Sequence, residues 1–545
     1  MGAEGRRIPP LRAGRRPAGL ALLGWLGDAR APRLCQVVGP PGSGRTHLLS
    51  WLADSGTGVH AVLPAAGTDP RSAAWLLGRL LELPARTPEE LLAALAEDDR
   101  PTVICVPDLA RALDPDRLVA GLLDPLLRSP QVRLVVEGGA EAVGGFTEVA
   151  DPAVLDLALE QWTDRARFTA WCATAGADPA RYPSPGAALG GPHEPAGPPP
   201  GPHPAELLAD PRLLAHEDPV AVAAALGELP GTLPELWRAT GAALVGERDP
   251  AVRAAVLRTR LIGLDGPAAD RLAEPDAPWH CVWAMWPNSA FGWPGPVSSL
   301  ALGAGSYAGQ LLLADPGGTV RTVDAASGRP LARVPAPGPE PLRGLTVTPG
   351  GSVVLLDARG HGLVVPSAAE ADSRPGEALA ELQALAGGGP SAVAAVPGLP
   401  GALPALGDER GTLHWRDPDG RVSAAALHQG PVTALAGAFA DGRPVLVSGG
   451  FDGAVRLWRP GSGDPAEVLE RRAREVAAVA ADATGEGLTV AAAWADGLVR
   501  LWRPGAPPLD LRLGSPVWAL ALAGELLVLG TADGIAAVRA GAAAP

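Results

Sequence analysis

Two stretches of the carboxy-terminal half carry the same pattern, 44 residues apart. Residues 445–459 and 488–503 each consist of an apolar run, an Asp-Gly pair and an alternating run that ends in Trp-Arg. An Asp-Gly pair between two such runs is a strong signal for a tight β-hairpin, because the turn needs positive φ angles that these residues tolerate. The pattern therefore predicts a fold built of repeated hairpins.

Weaker copies of this unit place the turn glycine at Gly318, Gly360, Gly411 and Gly534. The successive turn glycines are 42, 51, 42, 44 and 37 residues apart, close to the roughly 40–45 residues typical of a propeller blade. With His428 ahead of one unit and Trp458 at its end, the segment resembles the WD-repeat family. The resemblance implies a β-propeller over residues 279–545 with six blades, although seven also fit the spacing. Residues 280–286 are expected to supply the strand that closes the last blade.

The Trp and Asp residues of these repeats are interpreted as structural, filling the space between blades and holding turns. Recognition is expected on the rims and in the central channel, and the expected partners are proteins.

The amino-terminal half contains a glycine-rich loop between a strand and a helix. The apolar run 34–38 is followed by the loop 39–46 and the helical run 47–52. In such a loop, glycines let backbone N–H groups turn toward phosphate oxygens, and the helix N-terminus adds a favourable dipole. The spacing matches a phosphate-binding loop except that arginine stands where lysine is usual. The predicted nucleotide-binding residues are Gly39, Gly42, Ser43, Gly44, Arg45 and Thr46, with Thr46 also predicted as a ligand of Mg²⁺.

Strand and helix patterns then alternate, which predicts a doubly wound parallel sheet. The runs 102–110 and 132–136 resemble the nucleotide-binding core of STAND-type (NACHT-like) P-loop ATPases. That resemblance implies a helical lid over 161–275 and an adenine-side proline at Pro211. It also implies ATP or ADP as the ligand, together with Mg²⁺. A Pro/Gly-rich linker at 183–204 interrupts the lid.

The departures from this family lie at positions that carry its chemistry. The strand 102–106 should end in an Asp that holds Mg²⁺, but Pro107 follows it, and Asp108 could serve as the metal-side carboxylate only in a looser alignment. After Val136, where the family has a γ-phosphate sensor, Glu137 is followed by two glycines. Phosphoryl transfer depends on positioning metal and water, so hydrolysis is expected to be weak or absent. Because the chain contains no lysine, the arginine at position 45 does not by itself show whether the phosphate loop is functional or degenerate.

Composition narrows the functional classes. The net charge of −14 argues against nucleic acid as a partner. The arginines of residues 1–33 are interpreted as a solvated arm that leads into a helix. Four scattered cysteines favour a reducing compartment, and neither a structural metal site nor a membrane span is expected. The predicted location is cytoplasmic.

The predicted domains are an arm with its helix (1–33), a P-loop core (34–160), a lid region (161–275) and a propeller (279–545). The sequence favours a nucleotide-binding signalling scaffold whose propeller recruits proteins. A pure interaction scaffold with a relic P-loop domain, an active ATPase switch and homo-oligomer formation stay open.

Overall fold

The computed structural model describes residues 11, 14–40, 43–56, 58–138, 145–175, 202–287, 295–335, 340–370, 374–386, 389–397, 404–417, 419–484 and 487–541. The predicted linker 183–204 lies outside these residues except for its last three positions. The chain divides into two compact units, residues 1–246 and 247–545. Residues 247–275, which the sequence assigns to the lid, therefore belong to the same compact unit as the propeller.

The first unit contains a five-stranded sheet and eleven helices among the described residues. In chain order these elements are α1 (Arg16–Gly27), β1 (Leu34–Val38), α2 (Arg45–Asp54), β2 (Ala61–Val62), α3 (Pro70–Leu81), α4 (Pro88–Ala96), β3 (Thr102–Val106), α5 (Pro115–Leu118), α6 (Asp124–Leu126), β4 (Val132–Glu137), β5 (Ala153–Asp156), α7 (Arg165–Ala175), α8 (Pro204–Ala209), α9 (Arg212–His216), α10 (Pro219–Leu226) and α11 (Thr232–Leu244). A single π-type turn joins α5 to α6.

All strand pairs of this sheet are parallel, in the order β2-β3-β4-β1-β5. Residues that alternate along the strands enter two different cores. Cys35 and Val37 pack with α1 and α2 on one face, whereas Leu34 packs with α3 and α4 on the other. The unit is therefore a three-layer α/β sandwich, as the sequence predicts. Among the described residues, no helix combines the length and the apolar character needed to cross a bilayer.

The amino-terminal arginines are not uniformly solvated, so the interpretation of a solvated arm is wrong for this part of the chain. Arg15 is 1 % exposed and donates hydrogen bonds to three acceptors, Ser43 O, Leu157 O and Thr163 Oγ1. Arg33 donates to two backbone carbonyls after α6. Arg6, Arg7 and Arg12 lie outside the described residues.

Among its described residues, the second unit begins with α12 (Pro250–Leu261) and α13 (Gly266–Arg271) and continues with 23 strands and one more α-helix. The strands are β6 (Trp279–Met285), β7 (Ser299–Leu302), β8 (Gln310–Ala314), β9 (Val320–Asp324), β10 (Pro330–Arg333), β11 (Leu342–Val347), β12 (Val353–Asp357), β13 (Gly362–Val365), β14 (Pro390–Ala394), β15 (Ala405–Asp408), β16 (Thr412–Arg416), β17 (Val422–Ala426), β18 (Val432–Ala440), β19 (Arg443–Gly450), β20 (Ala454–Trp458), β21 (Glu467–Arg471), β22 (Val476–Thr484), β23 (Gly487–Trp494), β24 (Val499–Trp502), β25 (Leu509–Leu511), β26 (Val517–Ala523), β27 (Leu526–Thr531) and β28 (Ile535–Ala540), and the helix is α14 (Arg374–Leu385).

These strands form six antiparallel sheets whose innermost strands neighbour one another around a closed ring: β7, β11, β14, β18, β22 and β26. The unit is thus a six-bladed propeller, and the seven-bladed alternative is wrong. The last blade is completed by β6, which pairs with β28. The prediction that residues before the first repeat close the ring is confirmed, and the pairing with β6 covers the edge that β28 would otherwise expose.

The second blade departs from the pattern. It has three strands, β11-β12-β13, and α14 packs beside it. Leu379 and Leu382 of this helix are buried against Val354, Leu356 and Val393. The helix accounts for the unusually long interval of 51 residues between Gly360 and Gly411.

Candidate functional site

The glycine-rich loop follows β1, at the point of the sheet where the connections from neighbouring strands run to opposite edges. The connection after β1 runs toward β2 at one edge, and the connection after β4 runs toward β5 at the other, although β1 and β4 are neighbours. Ligands of open α/β sheets bind at such a switch point, beyond the carboxyl ends of the strands. The predicted phosphate loop therefore lies where a ligand site is expected.

The loop has the backbone of a tight strand-to-helix turn. Gly44 adopts a left-handed conformation (φ 85°, ψ 25°) directly before α2, which favours glycine there. The Ser43 amide donates to Pro40 O at 3.0 Å. The Ser43 hydroxyl is buried and has no hydrogen-bond partner among the described residues. A side chain at Gly39 would place its Cβ 2.7 Å from that hydroxyl oxygen. Gly42, also predicted for this site, lies outside the described residues.

A buried carboxylate at the end of β4 engages the two side chains that the motif assigns to phosphate and metal. Glu137 is 5 % exposed, and its Oε1 accepts a hydrogen bond from Thr46 Oγ1 at 3.0 Å. Arg45 Nε lies 3.5 Å from the same oxygen. Arg45 Nη1 also donates to Gly138 O at 3.0 Å. Both side chains are thus turned toward the end of β4.

The other oxygen of Glu137 is bound by the neighbouring strand's loop. The backbone amide of Asp108, which follows β3, donates to Glu137 Oε2 at 3.2 Å. Asp108 has a positive φ of 57°, unusual for a residue with a side chain. Burial raises the pKa of Glu137, although the hydrogen bonds from Asp108 and Thr46 and the charge of Arg45 act in the opposite direction.

These contacts do not fit a bound Mg²⁺ in the described arrangement. Magnesium prefers oxygen ligands, and Thr46 and Glu137 would supply two of them. Arg45 already places a positive charge beside that carboxylate, so a divalent cation there would face a guanidinium. Among the described residues, no group of three or more Asp, Glu, His or Cys side chains is arranged to hold a metal.

Pro211, also predicted for this site, precedes α9 in a turn in which Asp210 pairs with Arg212. Arg15 reaches the glycine-rich loop by donating to Ser43 O at 2.8 Å. Sequence reasoning missed this contact because a charged residue in a basic segment is usually solvated.

The propeller offers a second candidate region. Its central cavity measures about 150 Å³ and is lined by small and apolar side chains of the inner strands, with Asp482 as the charged group among the lining residues described. Ligand pockets usually measure about 300–1,000 Å³. This channel is therefore too small for a nucleotide, and the outer surfaces of the ring are better placed for recognition.

Two exposed aromatic side chains lie at the same end of the ring. Phe451, 61 % exposed, is in the turn between β19 and β20, and Trp518, 40 % exposed, is the second residue of the innermost strand β26. The start of each innermost strand pairs with the end of the second strand, as Val432 does with Gly450. We call the end of the ring that carries these turns the turn face.

Comparisons with known proteins identify no family. No family model matches the chain, and no curated protein does so. Among solved structures, the β-propeller domain of Myceliophteria thermophila Cps50 (Swd1) is 17 % identical, with a TM-score of 0.31, covering 45 % of this chain and 84 % of its own. The RRP9 WD40 repeats are 14 % identical, with a TM-score of 0.30, covering 47 % and 100 %. The strand pairing of the chain itself establishes that the second unit is a six-bladed β-propeller and the first a parallel α/β sandwich.

Proposed function

We propose that the protein is an interaction scaffold, in which the propeller binds a protein partner and the α/β unit binds ATP or ADP as a regulatory ligand with little or no hydrolysis. The observation that carries the scaffold role is the pair of exposed aromatics on the turn face. Aromatic residues are enriched at protein interfaces, where Trp is among the residues that contribute most binding energy, and Phe451 and Trp518 expose such groups at one end of the ring.

The contacts of Glu137 support the proposal that hydrolysis is inefficient. Within the described residues it is the one carboxylate that contacts Arg45 or Thr46, and both of its oxygens already accept hydrogen bonds. Phosphoryl transfer needs acidic groups that position metal and attacking water. A carboxylate held in this way is poorly suited to that role. Metal ligation by Thr46 and Asp108 stays a prediction, and it requires these contacts to rearrange.

A partner-capture experiment tests the scaffold role. The full-length chain and a Phe451→Ala/Trp518→Ala variant are immobilised and exposed to an extract of the native cells, and bound proteins are identified by mass spectrometry. We expect a specific partner to bind the wild type and to be lost from the variant. Val282→Ala, which removes an exposed side chain from β6, is the control that should retain the partner. Equal recovery by all three proteins would place recognition elsewhere.

Titration with ATP, with and without Mg²⁺, tests the nucleotide role. No binding by the wild type or by any variant of the loop would favour the pure scaffold. Steady release of phosphate that disappears in Thr46→Ala would favour the active switch.

A further inference from the structure

We infer that Glu137 is an internal anion in the nucleotide site, and that a phosphate group binds Arg45 and Thr46 only by displacing it. This inference rests on the proposed nucleotide site and concerns how that site is controlled. It starts from the fact that one carboxylate holds both side chains that the loop motif assigns to the ligand.

Arg45 and Glu137 form an ion pair that a phosphate would have to disrupt. Arg45 is 18 % exposed and Glu137 6 % exposed in their side chains, and they lie 3.5 Å apart. A buried charge needs a partner, and each of these groups supplies one for the other. A phosphate that enters beside an ionised Glu137 would add a like charge at close range, which is unfavourable. Phosphate and carboxylate therefore compete for the same guanidinium.

Hydrogen bonds also hold Glu137 in this position. The Thr46 hydroxyl has one proton to donate, and Glu137 Oε1 accepts it. Asp108 N holds the other carboxylate oxygen from the adjacent loop. Glu137 is thus held at both carboxylate oxygens in contact with the side chains that the motif assigns to the ligand.

The strand order of the sheet brings Glu137 to the glycine-rich loop. β4 lies directly beside β1, so the last residue of β4 is adjacent to the start of α2. A side chain that leaves β4 at this point is within reach of Arg45 and Thr46. The apparent affinity for phosphate is then reduced by the fraction of molecules in which Glu137 occupies the site.

Isothermal titration of the full-length protein with inorganic pyrophosphate and with ATP, first in EDTA and then in Mg²⁺, tests this inference. We expect Glu137→Gln and Glu137→Ala to bind both ligands at least about tenfold more tightly than the wild type. Glu148→Gln, which breaks an ion pair with Arg128 elsewhere in the same unit, should bind like the wild type. Adding Arg45→Ala to Glu137→Gln should abolish the gain.

Any other outcome overturns the inference. The outcomes also show whether the inference fails alone or together with the proposed nucleotide binding. If wild type and Glu137 variants bind with equal affinity, the nucleotide role stands and the internal anion does not. If Glu137→Gln loses binding only in Mg²⁺, Glu137 is a metal ligand instead. If none of the proteins binds, both the inference and the nucleotide role fail. Should Glu137→Ala not fold, Glu137→Gln, which keeps the shape of the side chain and removes its charge, must still bind more tightly than the wild type.

Discussion

The imidazole of His428 and the carboxylate of Asp452 meet inside the fourth blade, with Nδ1 2.9 Å from Oδ1. The other ring nitrogen lies 2.9 Å from the Ser448 hydroxyl, and the His428 side chain is fully buried. Gly450 makes room for the ring, since a Cβ there would lie 2.2 Å from Nδ1. The histidine thus connects three parts of the blade, namely the segment before β18, strand β19 and the turn that follows β19.

Replacing this histidine should destabilise the propeller. His428→Ala removes the hydrogen bonds to the buried Ser448 hydroxyl and to Asp452 and leaves a cavity, and we expect a loss of about 2–4 kcal/mol. His361 makes the same kind of contact with Asp357, but its side chain is 76 % exposed, so His361→Ala should cost less than about 0.5 kcal/mol. Chemical unfolding of the full-length variants measures both. Equal losses would show that burial does not decide the strength of the contact.

The same pair should make the propeller sensitive to acid. Burial lowers the pKa of His428 below its usual value of 6.5, although the hydrogen bond to Asp452 acts in the opposite direction. Below pH 6.5 the unfolded chain then binds more protons at this residue than the folded one, so stability falls as the pH falls. Burial alone would raise the pKa of Asp452, but hydrogen bonds from His428 and the Ala454 amide lower it overall. Its contribution is lost only at still lower pH, below its usual value of 3.8.

Unfolding midpoints at pH 7.5, 6.5 and 5.5 test this dependence. We expect the stability advantage of the wild type over His428→Gln to shrink toward pH 5.5. An advantage that stays constant across the range would contradict the lowered pKa.

Trp494 should be the most costly tryptophan to remove from the region between the fourth and fifth blades. It is fully buried, its indole N–H donates to Gly453 O at 3.1 Å, and Trp502 packs edge-on against it at 6.2 Å. We expect Trp494→Ala to cost about 3–5 kcal/mol. Trp518→Ala should cost clearly less, because Trp518 is 40 % exposed and buries less apolar area than Trp494. Calorimetry of the full-length chain compares the two, and similar losses would falsify the assignment of separate roles.

Arg15 should stabilise the glycine-rich loop from outside it. Its buried guanidinium donates to Ser43 O, Leu157 O and Thr163 Oγ1, and burial lowers its pKa to about 10. Arg15→Ala leaves these acceptors unpaired, and we expect a loss of about 2–4 kcal/mol from the first unit. The exposed neighbour variant Arg16→Ala is the control. Hydrogen exchange of the loop amides should accelerate in Arg15→Ala alone, and unchanged exchange would argue against this role.

Three of the four cysteines should be unreactive in the native protein. Cys35, Cys105 and Cys281 are buried, and burial raises the pKa of each thiol to about 12. Since the thiolate is the reactive form, a chromogenic disulfide reagent at pH 8 should modify no more than one thiol per chain. All four should react after unfolding. Modification of two or more thiols in the folded protein would show that at least one of the buried regions that contain these cysteines opens.

The repeats predicted the propeller well because their signals are local. At Gly318, Gly360 and Gly453 the backbone has the positive φ angles that the hairpin turns require. The helix α14 was not predicted, although the long interval of 51 residues between Gly360 and Gly411 was a signal that extra chain had to be accommodated.

The contacts of the candidate site depend on strand order, and for that reason they were not predicted. The sequence shows Glu137 where a phosphate sensor is usual, but the contact with Thr46 follows only from the placement of β4 beside β1. Likewise, the burial of Arg15 depends on Leu157 and Thr163, which lie more than 140 positions away in the chain.

The pairing of β6 with β28 also has a consequence for biosynthesis. The strand that completes the last blade is translated roughly 250 residues before the strand it pairs with, and such distant contacts are slow to form. Until residues 535–540 have left the ribosome, β6 has no partner strand and the last blade is incomplete. A nascent chain that stalls before position 535 therefore exposes β6 and the free edge of β27, and such unpaired strand edges promote aggregation or binding by chaperones.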